Sequence, residues 1–391
     1  MSTGEIVLRI LFWGSLAAVV YTYFLYPLLL RGLSRIPPNR RCAAAPLGGS
    51  ELPKVTMVIS AYNEEQVLPE KIRNCKKIDY PEDRISFLFG SDGSEDGTRE
   101  ILEAIRDRRF EVLIRPERRG KVQMLNTLVP RTQSNIVVFS DANTMYEPDA
   151  IRELVRLFVD PRVGCVIGKQ ILYAPENDLE SCRTESTYWR YENSIKTMES
   201  AFGAVPSVNG SIFAIRRELY RELPGQAITE DQVLGLRIMT EGHRGLFAEK
   251  AIAWEPVSTL TDELRRRIRI SAGNFQSLFL VPRILDPRRG WVFFAFFSHK
   301  LLRWLVPFFL AVMLGSNLLL AGEPFYGSTM AVQGLFYLSG ILGAAVPKLT
   351  GAFKILAIPK YFLAMNLAIV LGLARFLSGK QKVTWFKAAR H

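Results

Sequence analysis

Apolar runs at both ends of the chain limit what it can fold into more than any motif does. Ile10–Leu30 contains no charged residue and is long enough to cross a bilayer. Trp304–Gly322 and Pro324–Pro347 are equally free of charge and also span-length, whereas Tyr361–Ala374 is shorter and bracketed by Lys360 and Arg375. The first run is too long for a signal peptide, and no small-residue cleavage site comes after it. Arg31, Arg35, Arg40 and Arg41 come directly after it, which predicts that the next segment is cytoplasmic and that the N-terminus lies on the opposite side. Trp291–Arg303 mixes aromatics with His299, Lys300 and Arg303 and reads as an interfacial helix leading into the second run. Four full crossings would carry Lys380, Lys382, Lys387 and Arg390 outside, against the positive-inside rule, so whether Tyr361–Ala374 crosses stays open. The expected domains are therefore an N-terminal transmembrane helix at 1–31, a cytoplasmic domain at 32–290, the interfacial helix at 291–303, membrane segments at 304–378 and a basic tail at 379–391.

Composition removes several classes of chemistry. The three His and four Cys (Cys42, Cys75, Cys165, Cys182) are scattered, with neither a C-x-x-C nor an H-x-x-x-H spacing. Zinc sites and Cys/His nucleophile chemistry lack their parts, and reduced thiols suit a cytosolic face. A net charge of +12 fits either nucleic acid or basic loops on the cytoplasmic side of a membrane. No aromatic–basic strand pattern of the RNA-binding kind is present, so nucleic acid is not expected as a partner.

Between the apolar ends, short β-branched runs alternate with amphipathic stretches. Val55–Ser60, Ile85–Gly90, Val112–Arg115, Ile136–Ser140 and Val163–Gly168 read as strands, and Glu64–Lys77, Glu95–Arg108, Lys121–Val129 and Pro148–Val159 as helices. Such alternation predicts an α/β, Rossmann-like domain with a mostly parallel sheet covered on both faces, inserted between the transmembrane helices of the two ends. Ligands bind outside the carboxyl ends of such strands. Three of those ends carry acids, Glu64, Asp92 and Asp141, whose mutual repulsion asks for a cation or for hydrogen-bond donors. The first strand leads into SAYNEE, not a dinucleotide fingerprint, and Arg119-Gly120-Lys121-Val122 is not a P-loop. Nucleotide binding through carboxylates and a divalent metal is what remains.

Taken singly, the polar motifs are modest signals. Asp141-Ala142-Asn143 could be no more than a turn after a buried strand, or an oxygen set that holds Mg²⁺ or Mn²⁺ against a diphosphate. Thr229-Glu230-Asp231-Gln232 has the spacing of a capping box, but a carboxylate beside a helix N-terminus can also accept a proton from a sugar hydroxyl. Arg265-Arg266-Arg267-Ile268-Arg269 could face lipid headgroups, although Arg266 and Arg269 share a helical face and could clamp a diphosphate. Trp189 and Trp254 read first as packing residues and second as platforms for a sugar.

Their order is more specific than any member. SAYNEE, SDGSEDGT, Gly120-Lys121 with Asn126, SDAN, NGSIFAIRR, TED and RRRIR, followed by membrane segments, resembles the processive family-2 glycosyltransferases: cellulose, hyaluronan and poly-N-acetylglucosamine synthases. The resemblance covers roughly residues 53–280 and implies a GT-A domain, a membrane-bound hexosyltransferase and inverting, metal-dependent transfer from a UDP-sugar. Carried over position by position, it makes Tyr62, Glu64 and Asp92 contacts to the uridine, Lys121 a phosphate or ribose contact, and Asp141 with Asn143 the Mg²⁺ or Mn²⁺–diphosphate pair. Asn209, Gly210 and Ser211 would lie near the acceptor sugar, Asp231 would be the general base with Glu230 beside it, and Arg266 and Arg269 would hold the departing UDP. Three departures stand out: Asn143 replaces the second acid of D-x-D, Ser91 the first acid of D-D-G-S, and Arg266 and Ile270 the Gln and Trp of Q-x-x-R-W. The implied acceptor is a growing polysaccharide, as in exopolysaccharide biosynthesis, at a bacterial inner membrane with the catalytic domain cytoplasmic. Membrane lipids, an oligomer or an export partner would complete its surroundings. The alternatives are single-sugar transfer to a ceramide- or polyprenyl-type lipid, and an inactive nucleotide-binding membrane scaffold.

Overall fold

The computed structural model describes residues 2–35, 52–173, 179–256, 260–346 and 354–381, and the chain divides into two compact units. Arg40, Arg41, Cys42, Pro347 and the part of the basic tail from Lys382 onward lie outside the described residues.

The unit formed by residues 36–258, 276–295 and 382–391 is built on one eight-stranded sheet. Its strands are β1 (Val55–Ala61), β2 (Ile85–Asp92), β3 (Phe110–Arg115), β4 (Ile136–Asp141), β5 (Met145–Tyr146), β6 (Val163–Tyr173), β7 (Phe213–Arg216) and β8 (Arg244–Pro256), in the order β3-β2-β1-β4-β7-β6-β8-β5. The first four run parallel, as the βα alternation predicts. All seven residues of β1 are buried, which explains why it reads as an unbroken apolar run: strands covered on both faces have no solvent side to alternate with. The five expected strands are all present, but the strand that starts at Val163 does not lie beside β4 in the sheet. The four-residue β7 enters antiparallel to both β4 and β6, and β6 instead finds its parallel neighbour in β8. Strands β5 and β7 are too short to leave a period in sequence, and β8 carries Glu249 and Lys250 in its middle, which masks it.

Short helices cover the sheet: Leu68–Lys76, Thr98–Glu103, Lys121–Leu128 and Ala150–Val155, each inside the longer span expected from sequence. Lys121–Leu128 sits so close against β2 at Gly90 that a Cβ there would clash with Met124 Sδ. Thr229 precedes the helix Glu230–Thr240 but makes no side-chain cap, so the expected capping box does not form. The reason is competition: Gln232 donates to the Pro206 carbonyl at 2.7 Å and accepts from the Val208 amide at 3.3 Å.

The other unit comprises residues 1–35, 259–275 and 296–381. Among the described residues, four helices are long and apolar enough to cross a membrane: Thr3–Leu33, Trp291–Leu319, Pro324–Ala345 and Ala357–Leu377. Trp291–Arg303 is not a separate helix; it continues into the second span through a π turn at Phe296–Leu301. The last helix begins at Ala357 and takes in Lys360, which gives the short apolar run span length. Ile10, Phe24, Leu28, Val332 and Leu335 are well exposed, the inverse of a water-facing surface and suited to hydrocarbon. Inside the unit, Arg9 pairs with Glu323 at 2.6 Å, and Gly372 lets its helix approach Ser271, where a Cβ would meet the serine Cβ at 2.5 Å.

The sheet core sets stability in the first unit. Phe87 is fully buried, with its ring 4.8 Å from that of Phe110. Phe87→Ala should cost about 3–5 kcal/mol through the cavity it leaves, read as a lowered thermal melting midpoint in detergent.

Candidate active site

Parallel strands deliver their carboxyl ends to one edge, and the acids that collect there find donors from the chain itself. Asp92, at the end of β2 and 1% exposed, accepts from the backbone amides of Arg119 at 3.0 Å and Gly120 at 2.7 Å. Gly120 has φ 94°, a conformation that favours glycine, and it opens the helix that begins at Lys121. Gly93 (φ 66°) lies so close to this loop that a Cβ would clash with the Arg118 amide nitrogen. Asp92 thus pins the loop that aims Lys121.

The Lys121 ammonium lies between two carboxylates, 2.7 Å from Asp141 Oδ1 and 2.8 Å from Glu230 Oε1. Burial works against its charge, but Asp141 and Glu230 outweigh that and hold its pKa above the ordinary lysine value. Asp231, next along the Glu230 helix, is pushed up to about 6, first by burial and then by the neighbouring Glu230 charge, with Lys121 opposing. A Cβ on Gly210 would stand 3.4 Å from both Asp231 Oδ2 and Lys121 Nζ, so the Asn209–Ser211 loop lies directly against this group. Asp141, Lys121, Gly210, Glu230 and Asp231, expected from separate motifs, are therefore brought together.

A second polar chain runs beside them. Asn143 Nδ2 donates to Glu255 Oε1 at 3.4 Å, and Glu255 also accepts from Gln170 Nε2. Gln170 Oε1 accepts from Asn209 Nδ2 at 3.2 Å, and that amide also reaches Ser211 Oγ at 3.1 Å. The turn that holds Asn143 and the loop that holds Asn209 are joined through β6 and β8. Among the described residues no cluster of three His, Cys, Asp or Glu side chains stands ready for a metal. The donors present at the turn are all oxygens, an Asp141 side chain about one-third exposed (34%) and the Asn143 carbonyl that remains once its nitrogen serves Glu255. That set suits a hard cation such as Mg²⁺ or Mn²⁺.

Residues 53–273 match the model of the family described as "Glycosyltransferase like family 2". The chain belongs to that family. Among its relatives, a probable glycosyltransferase, YdaM, of Bacillus subtilis is 27% identical over 308 residues, covering 75% of this chain and 71% of that protein. A poly-β-1,6-N-acetyl-D-glucosamine synthase of Staphylococcus aureus is 25% identical over 234 residues, 58% of this chain and only 56% of the synthase. Among solved structures, the mannosyltransferase PcManGT of Pyrobaculum calidifontis, determined with GDP-Man and Mn²⁺, superposes with a TM-score of 0.70 at 21% identity, covering 95% of this chain and 99% of that one. The fold is GT-A, with a mixed, mostly parallel sheet and apolar helices at both ends. The protein is a glycosyltransferase.

The other residues expected at the site of the transferase take varied positions. Tyr62 lies at the same edge, with the Arg118 guanidinium 3.7 Å above its ring. Glu64 is buried, and its backbone amide donates to Thr98 Oγ1 at 2.8 Å, locking SAYNEE to SDGSEDGT. Asn126 is a brace: its amide bonds both backbone groups of Leu223 and accepts from the Tyr220 hydroxyl. Trp254 donates to Glu147 at 2.6 Å, in keeping with packing. Arg266 and Arg269 belong to the unit of apolar helices, on the helix Leu260–Leu280. Sequence reasoning missed Glu255, Gln170 and Lys71; the last is a fully buried lysine on Leu68–Lys76, pushed down to about 8 by burial, partly offset by Cys75 and Asp141.

Removing the central cation should expose the repulsion it offsets. In Lys121→Met, Asp231 loses the positive charge that opposes its upward shift, so its folded-state pKa rises further above the unfolded one. Groups shifted in that direction contribute stability at low pH that is lost as pH rises. The variant should therefore melt further below wild type at pH 8 than at pH 5, in paired thermal melts.

Proposed function

We propose that this transferase moves a sugar from a UDP-sugar, with inversion and with a divalent metal, to a growing polysaccharide of the exopolysaccharide type at a bacterial inner membrane. The observation that carries the reading is the Asp141–Lys121–Glu230 bridge with Asp231 raised to about 6 beside it. One side of Lys121 offers oxygen ligands for a metal–diphosphate, and the other offers the half-buried Asp231 carboxylate, which is ionised at neutral pH yet basic enough to take a proton.

Asp231 accepts the proton of the acceptor hydroxyl, the freed oxygen attacks the anomeric carbon, and the nucleoside diphosphate departs from the opposite face. No covalent enzyme intermediate forms. Lys121, held between Asp141 and Glu230, is placed to meet the diphosphate as its charge grows, while Glu230 keeps a carboxylate beside the base. Asp141 and the Asn143 carbonyl would hold Mg²⁺ or Mn²⁺, which when bound supplies positive charge to the leaving diphosphate. Tyr62 and Glu64 contact the base, and any contact from Asp92 comes from a carboxylate already pinned to the Lys121 loop. Asn209, Gly210 and Ser211 border the acceptor.

The relationship to the poly-β-1,6-N-acetyl-D-glucosamine synthase supports a polymer acceptor. In this reading residues 32–290 form the cytoplasmic part and the apolar helices lie in the bilayer, as the charge pattern of the sequence leads one to expect. The four apolar helices among the described residues are few for an enclosed channel, so an oligomer or an export partner would complete it. A second reading, one sugar added to a lipid hydroxyl, is favoured by Ile270, which leaves no aromatic platform where the processive synthases carry one.

The deciding assay is nucleotide release by the detergent-solubilised protein over UDP- and GDP-sugars with Mn²⁺ or Mg²⁺, followed by sizing of the product. Asp231→Asn should lower turnover by about 10²–10⁴-fold while nucleotide binding is kept. Wild-type turnover in that variant would remove Asp231 from its role. Since Asp231 must be ionised, kcat/KM should fall on acidification below about pH 6. A rate flat down to about pH 4.5 would contradict a carboxylate base with a raised pKa.

A further inference from the structure

Lys71 is the one fully buried lysine of the helix Leu68–Lys76, and no step of the proposed transfer uses it. Its Nζ donates to Ser140 Oγ at 2.7 Å and to the Thr144 carbonyl at 2.5 Å. Ser140 immediately precedes Asp141 and Thr144 comes immediately after Asn143, so a single ammonium ties both ends of the turn that presents those two ligands. It also lies 4.8 Å from the centre of the Tyr146 ring. One turn further along the same helix, Asn74 accepts from the Tyr146 amide at 2.8 Å and donates to the Tyr146 carbonyl at 2.7 Å. The Tyr146 hydroxyl in turn donates toward the Phe139 carbonyl at 2.9 Å and the Ser211 carbonyl at 3.1 Å. Lys71 and Asn74 thus clamp a segment that reaches from the Asp141 turn to the Asn209–Ser211 loop.

Space-filling alone does not account for this residue. A methionine of similar length would fill the volume without the desolvation of a charge, and a buried ammonium is retained at a net cost unless its charge or its hydrogen bonds are needed. Here the bonds go to a hydroxyl and a carbonyl, not to an acid, which leaves the positive charge directed at the turn. Groups that orient ligands from behind are as necessary to a site as the ligands themselves.

We infer that Lys71 is a positioning residue for nucleotide–metal binding: by holding Ser140 and Thr144 together it sets the geometry in which Asp141 and Asn143 meet the metal–diphosphate. The inference rests on the reading of Asp141 and Asn143 as the metal–diphosphate ligands, and the test separates the two. Mn²⁺-dependent binding of UDP or GDP, whichever the wild-type protein binds, is measured by calorimetry on the full-length protein in detergent, beside a thermal melt. Lys71→Met should bind about tenfold more weakly and melt no lower than wild type, because a buried charge is gone and the volume is kept. Ser140→Ala, which changes no charge and removes one tether, should weaken binding about threefold.

A purely structural lysine gives the opposite pattern, a lower melting point with unchanged affinity, and that result overturns the inference. Should Lys71→Met not fold, Ser140→Ala decides, and wild-type affinity in it is equally fatal. Asp141→Ala runs as the control: undiminished affinity there, or a wild type that binds neither nucleotide, removes the underlying reading and this inference with it. Lost affinity in Asp141→Ala with none lost in Lys71→Met removes the inference alone.

Discussion

A single ammonium between two carboxylates organises the catalytic edge of this transferase. Four elements converge on it: β4 supplies Asp141, the Glu230 helix supplies the second acid, the Asp92–Gly120 contact aims the lysine, and Gly210 leaves room above it. Without the cation, three acids would share a buried edge, and each would resist ionisation at the expense of the others. With it, Asp141 and Glu230 are both matched, and the remaining acid, Asp231, is raised by burial and by Glu230 only as far as about 6. A site with this charge balance is ready both for a polyanionic donor on one side and for proton abstraction on the other.

The same economy shows in how the loops are held. Asp92 serves backbone amides, Asn126 braces Leu223, Gln232 leaves its helix cap to hold Pro206 and Val208, and Lys71 ties the Asp141 turn from behind. Each of these side chains is polar, and each satisfies groups that would otherwise be buried without partners. Loops at strand ends have no ladder of their own, and these side-chain bonds tie them to the sheet and to one another.

Much of the architecture was legible because its signals are local. Continuous apolar runs identify β1, β2 and β4, since strands buried on both faces need no alternation, and long uncharged runs identify the helices suited to a membrane. The capping-box reading of Thr229 failed because Gln232 had a better partner 26 residues away in the chain. Strand β7 stayed hidden because four residues cannot show a period, and the continuity of Trp291–Leu319 was hidden by the His299–Arg303 charges within it. Lys71 stands among Glu70, Arg73, Lys76 and Lys77 on an amphipathic helix, and nothing in those charged neighbours announces its burial.

What the amino-acid order determined by itself is therefore the class of the molecule: apolar helices at both ends, a parallel α/β domain between them, and an ordered set of acidic and glycine-bearing loops at strand ends. Those features depend on spacing and period, which a linear chain carries in full. Which acid meets which cation was decided only in three dimensions. Lys121 and Glu230 lie far apart in the chain, as do Asn143 and Glu255, and their 2.8 and 3.4 Å contacts arise from the order of strands in the sheet. The charge state of Asp231 belongs to the same category, because burial and the approach of Glu230 and Lys121 are properties of packing and leave no trace in the order of residues.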